Sequence, residues 1–313
     1  MAFIGVHEYL MYAAYFAPRG KKRLLNLGGN IGQRYLSPED KLVGLIGDAG
    51  SGKSLLIRGM FPGLELTNDD DGINVRPLPI MTDAERDHFR NRTYHIDVRF
   101  EAAFTPLWEI SEAIKRAIHA ERRVIIEHFE LIYPTLGYNA EVLIGVGEEV
   151  IVTRPGVFGP FPSDIAPIVF KSLKYRKMAH SAEDLVGLIL EEMGISLATT
   201  HGDIKHGFIL EFSEKPAIDL NLVEKKVLDY IARDIPIHYH DDQHIKVGEE
   251  LYMCTGPRIH LNRTSDIKGF TLLKEFKWDP IGKLYVMAGL VGRKTNNPFD
   301  KSAAERFNIL PEE

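Results

Sequence analysis

Gly47-Asp48-Ala49-Gly50-Ser51-Gly52-Lys53-Ser54 stands between an apolar run, Leu42-Val43-Gly44-Leu45-Ile46, and a helical continuation, Leu55-Leu56-Ile57-Arg58-Gly59-Met60. No other stretch constrains the fold as tightly. A five-residue apolar run bounded by turn residues is the pattern of a strand buried on both faces of a parallel sheet. The eight residues after it fit G-x-x-x-x-G-K-[ST] without substitution, in the strand–loop–helix context that gives this pattern its meaning. Glycines let the backbone curl so that successive N–H groups point inward, and the helix N-terminus adds a partial positive charge. On this reading Gly47 to Ser54, with Leu55, bind the phosphates of a nucleoside triphosphate. Lys53 reaches the β- and γ-phosphates, and the Ser54 hydroxyl takes Mg²⁺. The competing explanation, a glycine-rich turn with an accidental lysine, does not account for the flanking strand and helix.

A phosphate loop needs a carboxylate at the end of a neighbouring strand, to hold the metal's water shell or to position a nucleophile. Glu127 directly follows Val124-Ile125-Ile126 and is the leading catalytic candidate; its bland alternative is a solvated strand-end acid. Asp97, inside the alternating run Tyr94 to Phe100, is a second metal-shell candidate, with a simple partnership to Arg99 as the alternative. Asp69-Asp70-Asp71 lie in the Asp-, Asn-, Gly- and Pro-rich segment after the loop helix, where a γ-phosphate contact and a solvated acidic turn are both open. No Asn-Lys-x-Asp guanine motif is present, which favours ATP over GTP.

The rest of the first half alternates strand with helix. Residues 24 to 36 read as a helix or helix pair, and 106 to 121 as a helix with Leu107, Ile110, Ile114 and Ile118 on one face. Residues 123 to 127 and 149 to 153 read as further strands. This predicts an α/β domain with a mostly parallel sheet and helices on both faces. The stretch RPGVFGPFPSDIAP breaks the pattern, so the expected division is residues 1–158 and 159–313. Two domains suit a chain of 313 residues. Beyond the break, helical patterns at 165 to 193 and 221 to 234, a strand at 208 to 212 and several short strands indicate an α+β domain.

A formal net charge of −6 gives no general attraction to nucleic acid, although Arg122-Arg123 and Lys171 to Lys177 are local basic stretches. The single cysteine, Cys254, excludes an internal disulfide framework and suits a reducing compartment. The apolar N-terminal stretch lacks a basic n-region and carries His7 and Glu8, and no run approaches a membrane span. The expectation is a cytoplasmic protein without membrane association; nothing in the sequence fixes its oligomeric state.

Three features of the first half together resemble the small ATPase of bacterial tRNA threonylcarbamoyladenosine synthesis: the Gly47 to Ser54 loop, Arg58-Gly59 after it, and His95-Ile96-Asp97. That family's threonine-containing segment after the loop is replaced here by LTNDDDG, residues 66 to 72. Three stretches of the second half resemble the second additional domain of alanyl-tRNA synthetases and their free-standing editing relatives. These are MAHSAEDLVGLILEEMG, HGDIKHGFILEFSE and CTGPRIHLNRTSDIKGFTLLKE. The resemblance implies a zinc site serving hydrolysis of mischarged aminoacyl esters, at positions matched here by His180, Asp184, Cys254 and His260. Asp184 stands where the family has its second histidine, and five residues separate Cys254 from His260 where the family has three. Asp is a zinc ligand too, and His180 and Asp184 at i, i+4 share a helix face. A bound zinc and an absent one are both open, and the two departures tilt the expectation toward residues that lie apart in a domain that binds rather than cleaves. His201 and His206, flanking Gly202 to Lys205, are pocket candidates.

These readings combine into an ATP-binding, Mg²⁺-dependent ATPase joined to an editing-like domain that recognises tRNA or an aminoacyl ligand. A small-molecule kinase whose acceptor sits in the second domain is an alternative, but no acceptor-side base is identifiable. An NTP-driven regulatory module without hydrolysis in the second domain is another.

Overall fold

The computed structural model describes residues 12–67, 78–195 and 200–292. They divide into two compact units. The first comprises the residues up to Tyr15 and Lys22–Leu173; the second comprises Phe16–Lys21 and the residues from Lys174 onward.

In the first unit, strands β1 (Ala13–Phe16), β2 (Leu42–Ile46), β3 (Thr93–Asp97), β4 (Arg123–Glu127), β5 (Val142–Val146) and β6 (Glu149–Thr153) form one sheet in the order β1-β6-β5-β2-β4-β3. The run β5-β2-β4-β3 is parallel. Strand β6 returns antiparallel to β5, with Leu143 opposite Thr153 and Val146 opposite Val150. The sheet is therefore mixed, and residues 149 to 153, expected as a further parallel strand, are the second arm of a hairpin. Gly147 and Glu148 turn the chain too tightly for a crossover helix, so the arm must return antiparallel. All five residues of β2 and of β5 are buried, so both faces of these strands are covered.

Helices α1 (Lys21–Tyr35), α2 (Lys53–Met60), α3 (Pro79–Glu85), α4 (Val98–Glu101), α5 (Leu107–His119) and α6 (Phe129–Leu136) belong to the same unit. Helix α5 buries Ile110, Ala113, Ile114 and Ala117, the stripe its 3.6-residue periodicity predicts. Helices α1 and α2 approach closely: a Cβ on Gly28 would stand 2.4 Å from the Leu56 carbonyl, and one on Gly59 would stand 2.2 Å from that of Leu25. The acidic triplet 69 to 71 lies outside the described residues.

Helix α7 (Pro162–Glu192) is one continuous helix and explains why the division falls later than the proline-rich break. Its first turns carry Ile165 and Val169 into the first unit's apolar core, against Gly145 of β5. The preceding stretch is a tight turn, closed by paired Gly156 and Gly159, not a linker.

The second unit holds the remainder of α7 with β7 (Thr200–Ile204), β8 (Gly207–Phe212), α8 (Leu220–Ala232), β9 (Ile237–Asp241), β10 (His244–Val247), β11 (Glu250–Met253), β12 (Thr271–Leu272), β13 (Lys277–Asp279) and β14 (Leu284–Leu290). One antiparallel sheet runs β12-β14-β8-β7 with β13 paired to β14; the other is the meander β11-β10-β9. Ala182, Leu185, Val186 and Ile189 of α7 share a core with Phe208, Leu210, Ile245, Val247 and Met287. This is the α+β organisation the pattern predicts. No helix among the described residues is long and apolar enough to cross a membrane.

Candidate functional site

Parallel strands place their C-terminal ends together, and two such ends build the first site. The loop Gly47 to Ser54 leaves β2, while Glu127 closes β4 in register with Leu45. Gly50 and Gly52 have φ of 73° and 92°, in the left-handed region that glycine enters at little cost. Asp48, Ala49 and Gly50 are exposed, Gly52, Ser54 and Leu55 are half-buried, and Ser51 and Lys53 are buried. Asp48 Oδ1 accepts from the Ala49 N–H at 2.7 Å and from Arg99 Nη1 at 3.0 Å. Lys53 Nζ donates to the carbonyls of Gly47 and Asp48 at 3.0 and 3.1 Å and lies 3.7 Å from Glu127 Oε2.

Glu127 is 3% exposed, so it is a buried acid and not a solvated one. Its Oε1 accepts from Ser54 Oγ at 2.9 Å and lies 3.3 Å from His95 Nε2. The His95 tautomer follows from its other side. The Thr67 backbone N–H donates to Nδ1 at 3.1 Å, so Nδ1 accepts and the ring proton sits on Nε2, directed at Glu127. Burial works to raise the Glu127 pKa; the His95 hydrogen bond, Lys53 and Ser54 outweigh it and hold the carboxyl below its usual range. Glu127 is thus an ionised carboxylate pinned through one oxygen, with the other turned toward Lys53. A cavity of about 640 Å³ opens beside Thr67 and His95, lined also by Phe61, Leu64, Asn91 and Tyr94.

Asp97 plays a different part from the one its position suggests. It ends β3 in register with Glu127, and its side chain caps α4 by accepting from the Phe100 N–H at 3.1 Å. Its supposed partner Arg99 pairs with Asp48. A carboxylate one residue before a helix is held by that helix's free N–H groups, which competes with the metal-shell role. Thr67 and His95 were the contributions hardest to foresee: only the strand ending His95-Ile96-Asp97 signalled one of them.

In the second unit, His180, Asp184, Cys254 and His260 come together, with one ligand atom from each within 4.8 Å of all the others. They do not lie apart, as the two departures in sequence had suggested. His180 and Asp184 project from one face of α7; Cys254 follows β11 and His260 lies in the loop beyond it. Cys254 Sγ is 3.3 Å from His180 Nε2 and 3.8 Å from His260 Nε2, and His260 Nε2 is 2.8 Å from Asp184 Oδ2. All four side chains are buried or nearly so.

The protonation pattern supplies a test of whether a cation fits. His260 Nδ1 lies 3.2 Å from the Pro257 carbonyl, which can only accept, so Nδ1 carries the proton and Nε2 presents a lone pair. Burial, and after it the nearby His180 ring, push His260 below the ordinary histidine range against the opposing pull of Asp184. Nε2 then meets Asp184 Oδ2 at 2.8 Å, two acceptor atoms in conflict unless a proton or a cation lies between them. A cation between them removes that conflict, and the set His, His, Cys, Asp suits a divalent metal of borderline softness. Burial, with the Asp184 charge, pushes the Cys254 thiol far up. His201 Nδ1 lies 3.0 Å from Glu183, and His206 stacks on Tyr175 with ring centroids 3.7 Å apart, so neither is among the four.

No family model matches the chain, and no curated protein matches it.

Proposed function

We propose that the first unit is a phosphate-loop nucleotide-binding domain acting as a Mg²⁺-dependent ATPase, and that the second is a zinc-fastened domain recognising an aminoacyl or tRNA-like ligand. The observation that carries the first part is the convergence of Lys53, Ser54 and Glu127 on one side of the loop. Lys53, now held by loop carbonyls, is the cation available to β- and γ-phosphates. Ser54 and Glu127 would hold Mg²⁺, directly or through its water shell, and the ion would neutralise phosphate charge and polarise the γ-phosphoryl group. Glu127 Oε2, the oxygen that Ser54 and His95 leave unoccupied, suits orientation of the attacking water.

For the second unit, four protein ligands in a buried cluster support a closed tetrahedral centre, whereas hydrolytic zinc sites keep a position for water. The reading is therefore recognition without ester cleavage, and the ligand class rests on the resemblance of the second half. Hydrolysis of ATP with Mg²⁺ by the wild-type chain, and its loss with ATP binding in Lys53→Ala, is the expected result for the first unit. Unaltered nucleotide affinity in that variant refutes it. A deacylation assay on mischarged alanine tRNA tests the second: His180-dependent cleavage contradicts the binding-only reading.

A further inference from the structure

The metal candidate has a second layer that the four ligands do not explain. Glu183, 4% exposed, precedes Asp184 on α7 and is not one of the four. Its Oε2 lies 3.3 Å from His180 Nδ1 and accepts from Arg19 Nε at 2.9 Å; its Oε1 lies 3.0 Å from His201 Nδ1. A buried carboxylate is costly unless charge and hydrogen bonds compensate it. Arg19 supplies both: 5% exposed, it also pairs with Asp203 at 2.9 Å and donates to the carbonyls of Gly207 and Gly202. Three cation-capable groups on one buried carboxylate is more than packing of α7 requires.

We propose that Glu183 is the positioning residue of the metal centre, acting through His180, and that Arg19 holds Glu183 in place. An ionised carboxylate can only accept, so His180 Nδ1 donates to it; Nε2, on the other side of the ring, lies 3.1 Å from the Gly256 carbonyl and 3.3 Å from Cys254 Sγ and is the ligand atom once a metal takes the place of its proton. The carboxylate fixes the ring's tautomer and orientation and makes Nε2 a stronger donor to a metal. Arg19 reaches the site from a segment more than 160 residues earlier in the chain, so this arrangement is built by the fold and not by local helix geometry. The inference rests on the reading of the four-residue cluster as a metal centre.

The test is competition for Zn²⁺ between a chromophoric chelator and the full-length chain, wild type against Glu183→Gln and Arg19→Lys. Glu183→Gln keeps the shape and is expected to weaken Zn²⁺ affinity by about tenfold to a hundredfold, with Arg19→Lys changing it in the same direction and by less. A purely structural role lowers thermal stability equally with and without zinc; the positioning role instead shrinks the increment that zinc adds. Co²⁺ substitution gives a third readout, since a reoriented His180 shifts the ligand-field bands. Wild-type chain that binds no zinc overturns the metal reading and this inference together. Zinc bound equally tightly by wild type and both variants overturns the inference alone. Should Glu183→Gln fail to fold, Arg19→Lys carries the same decision.

Discussion

Glu127 in the first unit and Asp184 in the second are both buried carboxylates held among histidines, yet their surroundings differ in kind. Around Glu127 the neighbours are the Ser54 hydroxyl, the His95 Nε2–H and the Lys53 ammonium. Around Asp184 they are side chains of metal-ligating type: His260 with Nε2 at 2.8 Å, His180 with Nδ1 at 4.0 Å, and Cys254. The first carboxylate stands beside a lysine and a glycine-rich loop, the surroundings expected of the proposed phosphate site. The second stands among side chains of metal-ligating type, the surroundings expected of the proposed metal site.

If that contrast is right, each site breaks under a different change. Glu127→Gln preserves shape and removes charge; ATP turnover is expected to fall about a hundredfold or more, the size of a lost positioned proton-transfer or water-orienting group. ATP affinity in the same variant, read by calorimetry, stays within about threefold, by the argument that Glu127 acts on turnover and not on ground-state binding. Wild-type turnover reduces Glu127 to a strand-end acid.

Metal removal is the next effect in size, and it falls on the second unit. A metal at a thousandfold excess over its Kd adds about 4 kcal/mol to the state that binds it. Chelation therefore lowers the unfolding midpoint of the second unit while leaving ATP binding in place. A single melting transition unmoved by chelator removes the metal from the account.

Asp83 is a third buried carboxylate, held by donors as Glu127 is but away from the glycine-rich loop. Fully buried, it accepts from Tyr94 Oη at 2.6 Å and from the Arg90 N–H and Nε at 3.1 and 2.9 Å. Burial opposes its charge, and those donors outweigh it, holding the carboxyl below its usual range. Burial, with the hydrogen bond to Asp83 and that carboxylate's charge, pushes Tyr94 up to about 12. Asp83→Asn is expected to cost about 2 kcal/mol of stability, typical of a hydrogen bond to a charged group, in denaturant melts, with ATP affinity unchanged.

The smallest effect is a pH dependence. Because the folded pKa of Glu127 lies below its unfolded one, its ionised form stabilises the fold in full above the ordinary glutamate value of about 4.3. That contribution disappears as the pH falls through the depressed folded value. The stability difference between wild type and Glu127→Gln should therefore narrow below about pH 4 and stay constant near neutrality; a gap that widens in acid contradicts the sign.

What the sequence revealed follows the range of the interactions. The Gly47 to Ser54 loop, Glu127 and the His180–Asp184 spacing depend on neighbours within a few residues, and they were readable. Strand β5 was missed although its hairpin partner, residues 149 to 153, was read as a strand, because the pairing that joins them is not visible in the local pattern. The capping role of Asp97 was not readable because it depends on a four-residue helix too short to show periodicity. Thr67 against His95 and Arg19 against Glu183 join distant segments, and nothing local announces them.

The most direct test of the contrast is a crossed titration of ATP and Zn²⁺ into Lys53→Ala and Cys254→Ser. Lys53→Ala is expected to lose ATP binding and keep about one zinc per chain, the stoichiometry of a single four-ligand site. Cys254→Ser is expected to keep ATP binding and lose most of its zinc affinity. Loss of both ligands in either variant, or of neither in both, contradicts the account of two separate sites, one taking a phosphate and the other a metal.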